Sequence, residues 1–324
     1  MAEKKIISVM IPTYNEEENV VGIYEAVRDQ IKNNLPEYDY EILFIDNKSQ
    51  DNTRNLISDI CKLDNGVKAI FNSKNFGQFN SPVYGMTHTS GDCTITCCAD
   101  FQDPPEMIPK FVREWEKGYK IVIGRKIDGK ENPVIYWARG VYYKLIKKMS
   151  SVDQIEQFTG FGLYDKSFIQ TLKNLHDPTP FIRGIVAELG PERKEIEYTQ
   201  PKRKAGKTHN NFFTLYDAAM LSFTSYTKAG MRIATFGGFF LAVMSFIIGI
   251  VYLILKLCMW NQFKMGYAPM MISLFFLIGL ILAFLGFLGE YVMAMNTRLM
   301  NRPLVIEEER LNFSDDSKFE EKVD

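Results

Sequence analysis

Residues 92–106 read DCTITCCADFQDPPE. A mostly apolar run ends, within a few positions, in an acid, an amide and a second acid, Asp100, Gln102 and Asp103, followed by two prolines. A short apolar and β-branched run bounded by such a cluster predicts a strand over DCTITCCAD with its polar group at the strand end. The prolines suit the first turn of a helix over PPEMIPKFVREWEKG, where a fixed φ and a missing N–H do no harm. Oxygen ligands on a loop at a strand end suit Mg²⁺ or Mn²⁺. On spacing alone the commoner reading of the same acids is as charge complements to the start of the helix.

The alternation continues upstream. IISVMIPTY, EILFID and VKAIFNS read as strands, and KIVIG as a fifth, after the one above. Between them, NEEENVVGIYEAV reads as a helix with an acidic start, SQDNTRNLISDIC as a helix, and QFNSPVYGMTHTS as a third. Strands alternating with helices predict an α/β domain with a mostly parallel sheet and right-handed crossovers. Such sheets bind ligands beyond the carboxyl ends of their strands. Tyr14, Asp46, Lys74 and Asp100 each fall just past a predicted strand end, which is the first sign of a site.

The C-terminal third has another character. Ile233–Leu255 and Met265–Gly289 carry no charge, and each exceeds the roughly 20 residues that cross a bilayer. The link KLCMWNQFKMGY is short, so the two runs predict a transmembrane hairpin. Lys202, Arg203, Lys204, Lys207, Lys228 and Arg232 precede it and Arg298, Arg302 and Arg310 follow, whereas the link holds only Lys256 and Lys264. The positive-inside rule then puts the α/β domain and both termini in the cytoplasm, as an integral protein of the cytoplasmic membrane. NNFFTLYDAAMLSFTSYTKAG reads either as an interfacial amphipathic helix or as an ordinary domain helix. The tail EEERLNFSDDSKFEEKVD reads as charged and disordered. The expected boundaries are 1–205 for the α/β domain, 206–231 for a juxtamembrane segment, 232–297 for two spans and 298–324 for the tail.

The bulk properties of the 324 residues narrow the partners. A net charge of −1 and a pI near 6.4 do not favour nucleic acid. The mean hydropathy of −0.12 averages over two unlike regions. Five cysteines without a framework spacing read as reduced thiols. Cys93, Cys97 and Cys98 do not suggest zinc, since a strand points them to different faces and no second ligand pair follows. His88, His176 and His209 are too scattered for a metal site. MAEKKIISVM runs straight into a strand without a signal peptide. No Gly-x-x-x-x-Gly-Lys-Ser/Thr loop is present, and the lack of Gln-x-x-Arg-Trp argues against a processive polysaccharide synthase.

Taken in order, IPTYNEEENV, EILFIDNKSQDNT, SKNFGQ, ADFQDPPEM and GRK resemble the motifs of the inverting GT-A glycosyltransferases, a Rossmann-like nucleotide-sugar fold. Within these the chain is most similar to the polyprenyl-phosphate branch, the bactoprenol glucosyltransferases and dolichyl-phosphate mannose synthases. QDPPE and the two-span tail are the specific features, and the resemblance covers nearly the whole chain. It implies that Pro12, Tyr14, Glu16 and Asp46 surround the nucleotide's base and ribose, with Lys74 and Arg203 in the same donor-binding set. It implies that Asp100 and Gln102 hold Mg²⁺ or Mn²⁺ on the donor diphosphate and that Asp103 lies near the donor sugar. Arg125 and Arg139 match arginines that grip the acceptor phosphate, work suited to a planar, permanently charged fork. The implied partners are a nucleotide sugar, a polyprenyl phosphate and the bilayer, and the resemblance hints at a homo-oligomer packed through the hairpin.

Several positions depart from that pattern. Cys98 stands at the family's first acidic ligand, and a thiol is a poor ligand for a hard cation. Asn47 replaces the second acid of Asp-Asp-Gly-Ser, and Lys74 an arginine. In FTGFGLYDKSF, Gly160 and Gly162 occupy the positions of the acid and the arginine in Asp-Phe-Arg-Leu. Thr208 and His209 replace Ser and Lys after the retained Arg203 and Gly206. Three functions compete. The first transfers a sugar from UDP-glucose or a UDP-N-acetylhexosamine, with GDP-mannose next, to polyprenyl phosphate. The second is a membrane-anchored nucleotide-sugar-binding scaffold without chemistry, and the third glycosylates a neutral lipid such as diacylglycerol. The third leaves Arg125 and Arg139 without an anion and needs a base where glycine stands.

Overall fold

A computed structural model describes residues 4–127, 155–190, 192–205, 267–300 and 302–313, with isolated helical residues between 220 and 258. The chain divides into two compact units, one of residues 1–141, 153–211 and 300–324, the other of 142–152 and 212–299.

In the first unit the described elements run β1 (Ile6–Thr13), α1 (Val20–Asn34), β2 (Asp39–Asp46), α2 (Thr53–Leu63), β3 (Val67–Asn72), α3 (Gly77–Thr87) and β4 (Cys93–Thr96). A single 3₁₀ turn, Pro105–Met107, then leads into α4 (Ile108–Glu116) and β5 (Ile121–Ile127). After them come β6 (Phe158–Asp165), α5 (Lys166–Asn174), α6 (Ile182–Leu189) and β7 (Arg193–Thr199). These strands and a last one, β8 (Glu307–Leu311), make an eight-stranded sheet in the order β7-β5-β6-β4-β1-β2-β3-β8. β4, β1, β2 and β3 are mutually parallel, as is the β5–β7 pair. β6 runs antiparallel between β4 and β5, and β8 antiparallel along β3.

Side chains alternate across each strand, so each strand feeds two cores. Ile7, Val9 and Ile11 of β1 and Ile42 and Phe44 of β2 pack with Val20, Ile23, Val27 and Ile31 of α1, Ile57 and Ile60 of α2, and Phe111 of α4. Met10, Leu43, Ile45 and Ile70 pack on the other face with Val83 and Met86 of α3, Phe168 and Leu172 of α5, and Val186 of α6. The result is a three-layer α/β/α domain. Its first helix begins later than its acidic sequence suggests: Glu17 and Glu18 lie in a turn, and α1 has no acidic residue in its first turn.

Toward the amino ends of these strands, buried Glu41 is satisfied from four directions. Lys68 Nζ (2.6 Å), Ser90 Oγ (2.7 Å), Ser90 N (2.8 Å) and the Ser8 hydroxyl all donate to it. Burial raises the Glu41 carboxyl, but Lys68, Ser8 and Ser90 outweigh it and hold it below its ordinary value. A carboxylate depressed in this way contributes stability above its unfolded pKa of ~4.3, and loses that contribution as pH falls through the lower folded value. Glu41→Gln is therefore expected to cost about 2–3 kcal/mol near neutral pH. The gap from the parent should close below about pH 4, as urea unfolding across a pH series would measure.

β8 corrects one expectation. The composition of the tail predicts disorder, yet Glu307–Leu311 pairs with β3 through Ala69↔Leu311, Ile70↔Arg310 and Phe71↔Glu309. Backbone pairing does not need apolar side chains at an edge, and charged edge strands are common for that reason. Tyr84 Oη donates to Glu307 Oε1 (2.8 Å), while Asn312 Nδ2 donates to the carbonyls of Cys61 (2.7 Å) and Val67 (2.8 Å).

In the second unit, α7 (Tyr267–Leu299) is the long continuous helix among the described residues. Its Phe276–Leu299 stretch, 24 residues, is long and apolar enough to cross a membrane. Phe276, Ile281, Leu282 and Leu285 are all exposed. The other expected span, 233–255, is described only at scattered helical positions, so the paired hairpin lies outside the described residues. So do Arg139, Thr208, His209 and the juxtamembrane segment apart from residues 220 and 221.

Candidate active site

Because β1, β2, β3 and β4 are parallel, their carboxyl ends reach one edge of the sheet, and Tyr14, Asp46, Lys74 and Asp100 gather there. The loops at this edge carry three left-handed residues that are not glycine: Asn15 (φ 55°), Lys48 (φ 67°) and Phe101 (φ 61°). For a bulky aromatic such a conformation costs on the order of 1–3 kcal/mol, and residues held this way concentrate at functional sites.

The loops after β1 and β2 are laced together. Asn15 N donates to Ser49 Oγ (2.8 Å) and Gln50 N returns to Asn15 Oδ1 (2.8 Å). Glu16 N donates to Thr53 Oγ1 (2.9 Å) and Asn52 N to Glu17 Oε2 (2.9 Å). Beneath the lacing lies Asp46, fully buried, accepting from Ser49 N (3.0 Å), Thr13 Oγ1 (3.3 Å) and the Ser49 hydroxyl. Burial pushes its carboxyl up, against the pull of Ser49 and of Arg54, whose Nε is 3.9 Å away. Pro12 and Tyr14 are half-buried on the same rim.

Asn47, where the family pattern has an acid, is a hub. Its Nδ2 donates to Asn75 Oδ1 (2.9 Å) and to the Gly77 carbonyl (3.2 Å). Its Oδ1 accepts from Phe76 N (2.8 Å) and Asn72 Nδ2 (3.1 Å). An aspartate cannot donate to either acceptor, so the amide is what fastens the loop after β3. Lys74 on that loop is exposed, with its Nζ 5.0 Å from the Phe76 ring.

At the end of β4, Asp100 is 5% exposed. Its Oδ1 accepts from Gln102 N (3.1 Å), and its Oδ2 pairs with Arg203 through Nη2 (2.8 Å) and Nε (3.0 Å). Asp103 is also buried, taking hydrogen bonds from Cys98 N (3.0 Å) and Tyr198 Oη (3.4 Å). Burial drives its carboxyl up to about 6. Cys98 itself is exposed. Among the described residues no cluster of three or more His, Cys, Asp or Glu could hold a metal. The Asp100 carboxylate and the Gln102 amide are oxygen donors of the kind a hard cation takes when phosphate and water supply its remaining ligands, although Arg203 holds the carboxylate in this structure.

The two glycines of the altered motif lie on β6. Gly160 has φ 109°, a conformation side chains rarely take, and its carbonyl accepts from Thr96 Oγ1 (2.5 Å) and Tyr164 Oη (2.7 Å). A Cβ on Gly162 would sit 2.6 Å from the Val122 carbonyl oxygen and 3.1 Å from Ile123 Cα. No arginine fits there, so both departures are dictated by the local backbone.

Asp100, Gln102, Asp103 and Arg203 are thus brought together, and Glu16, Asp46 and Tyr14 line the neighbouring loops. Arg125 pairs across to β7, with Glu197 and with Glu195 (3.7 Å). Sequence reasoning missed Tyr198, Arg54 and the bonding of Asn47. The repeated asparagines in FNSKNFG were the one available signal for the Asn47 hub.

The sequence pattern of "Glycosyl transferase family 2" matches residues 8–185. The chain is 32% identical to an SfII prophage-derived bactoprenol glucosyl transferase of Shigella flexneri, over 93% of this chain and 96% of that protein. It is 30% identical to a prophage bactoprenol glucosyl transferase homolog of Escherichia coli K12, over 93% and 97%. A mannosyl-3-phosphoglycerate synthase structure from Rubrobacter xylanophilus aligns with TM-score 0.49 at 14% identity, over 72% of this chain and 75% of that one.

Proposed function

The chain belongs to glycosyl transferase family 2, and from that premise we propose that it moves a sugar, glucose or an N-acetylhexosamine, from a UDP-sugar to polyprenyl phosphate at the cytoplasmic leaflet. The observation that carries this reading is the buried Asp100 at the sheet's carboxyl edge, with Gln102, Asp103 and Arg203 gathered around it. The names of the bactoprenol relatives support the acceptor class. The exposed apolar face of α7 supports a membrane span, which with residues 233–255 would form the anchoring hairpin.

In this reading Asp100 and Gln102 hold Mg²⁺ or Mn²⁺. When bound, that ion neutralises charge developing on the leaving diphosphate. Tyr14, Glu16, Lys74 and the laced loops above Asp46 frame the nucleoside, and Arg203 serves the donor phosphates. Asp103, raised by burial, lies beneath the sugar position. Arg125 exchanges its carboxylate partners for the acceptor phosphate, together with Arg139. A phosphate monoester's second pKa is about 6, so the attacking oxygen is already anionic near neutral pH. Its lone pair forms the bond to the anomeric carbon while the bond to the diphosphate breaks, with inversion. No strong base is needed, which suits a chain with glycine at position 160; positioning and charge stabilisation suffice.

The test is transfer of radiolabelled sugar from UDP-glucose, UDP-N-acetylglucosamine or GDP-mannose to a short polyprenyl phosphate by the full-length protein in detergent. Label is expected in the lipid phase with one of the UDP donors, lost on chelation with EDTA and regained with Mn²⁺. Failure of every donor with both metals would favour the non-catalytic scaffold.

A further inference from the structure

The Asp100 carboxylate is engaged at both oxygens. Nε and Nη2 of Arg203 converge on Oδ2 and the Gln102 N–H takes Oδ1. The segment carrying Arg203 is fastened at further points. Lys204 N donates to the Asp100 carbonyl (3.3 Å), and Lys204 Nζ lies 4.4 Å from the Phe101 ring. The Ala205 carbonyl accepts from Nδ2 of Asn19 (3.3 Å), the residue that opens α1. Residues 203–205 therefore form a strap across the Asp100 loop, with a guanidinium on the carboxylate.

We infer that Arg203 is an exchangeable counter-ion: it occupies Asp100 in the empty site and moves to the donor diphosphate on loading, so that divalent cation and nucleoside diphosphate bind interdependently. The inference rests on the proposed role of Asp100 in holding a cation against the donor.

The argument is electrostatic. A dication and a guanidinium repel one another at a single carboxylate oxygen, so a cation arriving alone must first strand Arg203. A diphosphate removes that cost, because its oxygens accept the same planar fork that the carboxylate did. The Arg203 side chain is 28% exposed, which leaves the exchange open to solvent on one side. Coupling of this kind is reciprocal: the cation tightens nucleotide binding by the factor by which the nucleotide tightens cation binding. It also keeps the acidic loop from collecting free cations when no donor is present.

The experiment titrates Mn²⁺ into the full-length protein in detergent, alone and with UDP or GDP, following free Mn²⁺ by its electron paramagnetic resonance signal. In the parent, Mn²⁺ alone should bind weakly, and nucleotide should tighten it by at least tenfold. Arg203→Gln should bind Mn²⁺ alone about tenfold more tightly than the parent, and the enhancement by nucleotide should shrink by a similar factor. Arg203→Lys keeps the charge but loses the fork, and should fall between the two. If the parent shows nucleotide-enhanced Mn²⁺ binding that Asp100→Ala removes, while neither Arg203 variant changes Mn²⁺ affinity without nucleotide, the exchange is wrong and the proposed function stands. If the parent binds no Mn²⁺ with either nucleotide, both fall.

Discussion

Asp100→Ala should reduce sugar transfer by about 10²–10³-fold while leaving the fold intact. The substitution removes the one buried carboxylate that faces both Gln102 and Arg203. In the proposed reaction that carboxylate fixes the charge opposing the leaving diphosphate, which develops fully only as the glycosidic bond breaks. The loss should therefore fall mainly on kcat, with a smaller change in KM for the donor. Stability should change little, because Arg203 is 28% exposed and can be solvated once its partner is gone. Asp100→Asn, which keeps the volume and can still accept the Gln102 N–H, should lose nearly as much activity. Initial rates at saturating Mn²⁺ beside a melting curve separate the two effects. Near-parental turnover in both variants would remove Asp100 from the reaction.

Gly162→Ala should be the most damaging small substitution in the sheet. Its added carbon would lie 2.6 Å from the Val122 carbonyl oxygen and 3.1 Å from Ile123 Cα, both backbone atoms of the neighbouring β5. Neither can move without displacing β5 from β6. The expected cost is about 2–4 kcal/mol, or a fall in Tm of roughly 5–12 °C for a domain of this size. Restoring the arginine of the family pattern, Gly162→Arg, should prevent folded protein from accumulating. Gly160→Asp restores the acid but must adopt φ 109° and meet the Ile182 side chain at 3.4 Å. It should lose stability without gaining activity. Chemical denaturation of Gly162→Ala and Gly160→Asp measures this, and a Gly162→Ala protein as stable as its parent would contradict the packing argument.

Much of the fold could be read from residue order because the information was local. IISVMIPT, EILFID and VKAIFN declare themselves by apolar and β-branched runs, and the acids at their ends declare the functional edge. What remained hidden was nonlocal. Nothing in FTGFGLYD says that this strand inserts antiparallel between β4 and β5. Nothing near Asp100 announces a partner as remote as Arg203, or near Arg125 a pair of glutamates on β7. The two glycines looked like lost functional groups. In space they are demands of the backbone, visible only once β5 is seen lying against Gly162. Asn47 likewise resembled a weakened acid until both of its donors found acceptors.

The last strand has a topological consequence. β8 belongs to the same sheet as β1, so polypeptide leaving the globular body near residue 205 must come home near residue 302. Whatever lies between can traverse a bilayer only an even number of times. A stop codon placed ahead of the apolar helix would therefore do more than delete that helix: it would strip a strand from the sheet and bare the edge of β3. A shortened version of the sheet domain is better made by excising the interior and splicing residue 205 to residue 302 through a flexible linker.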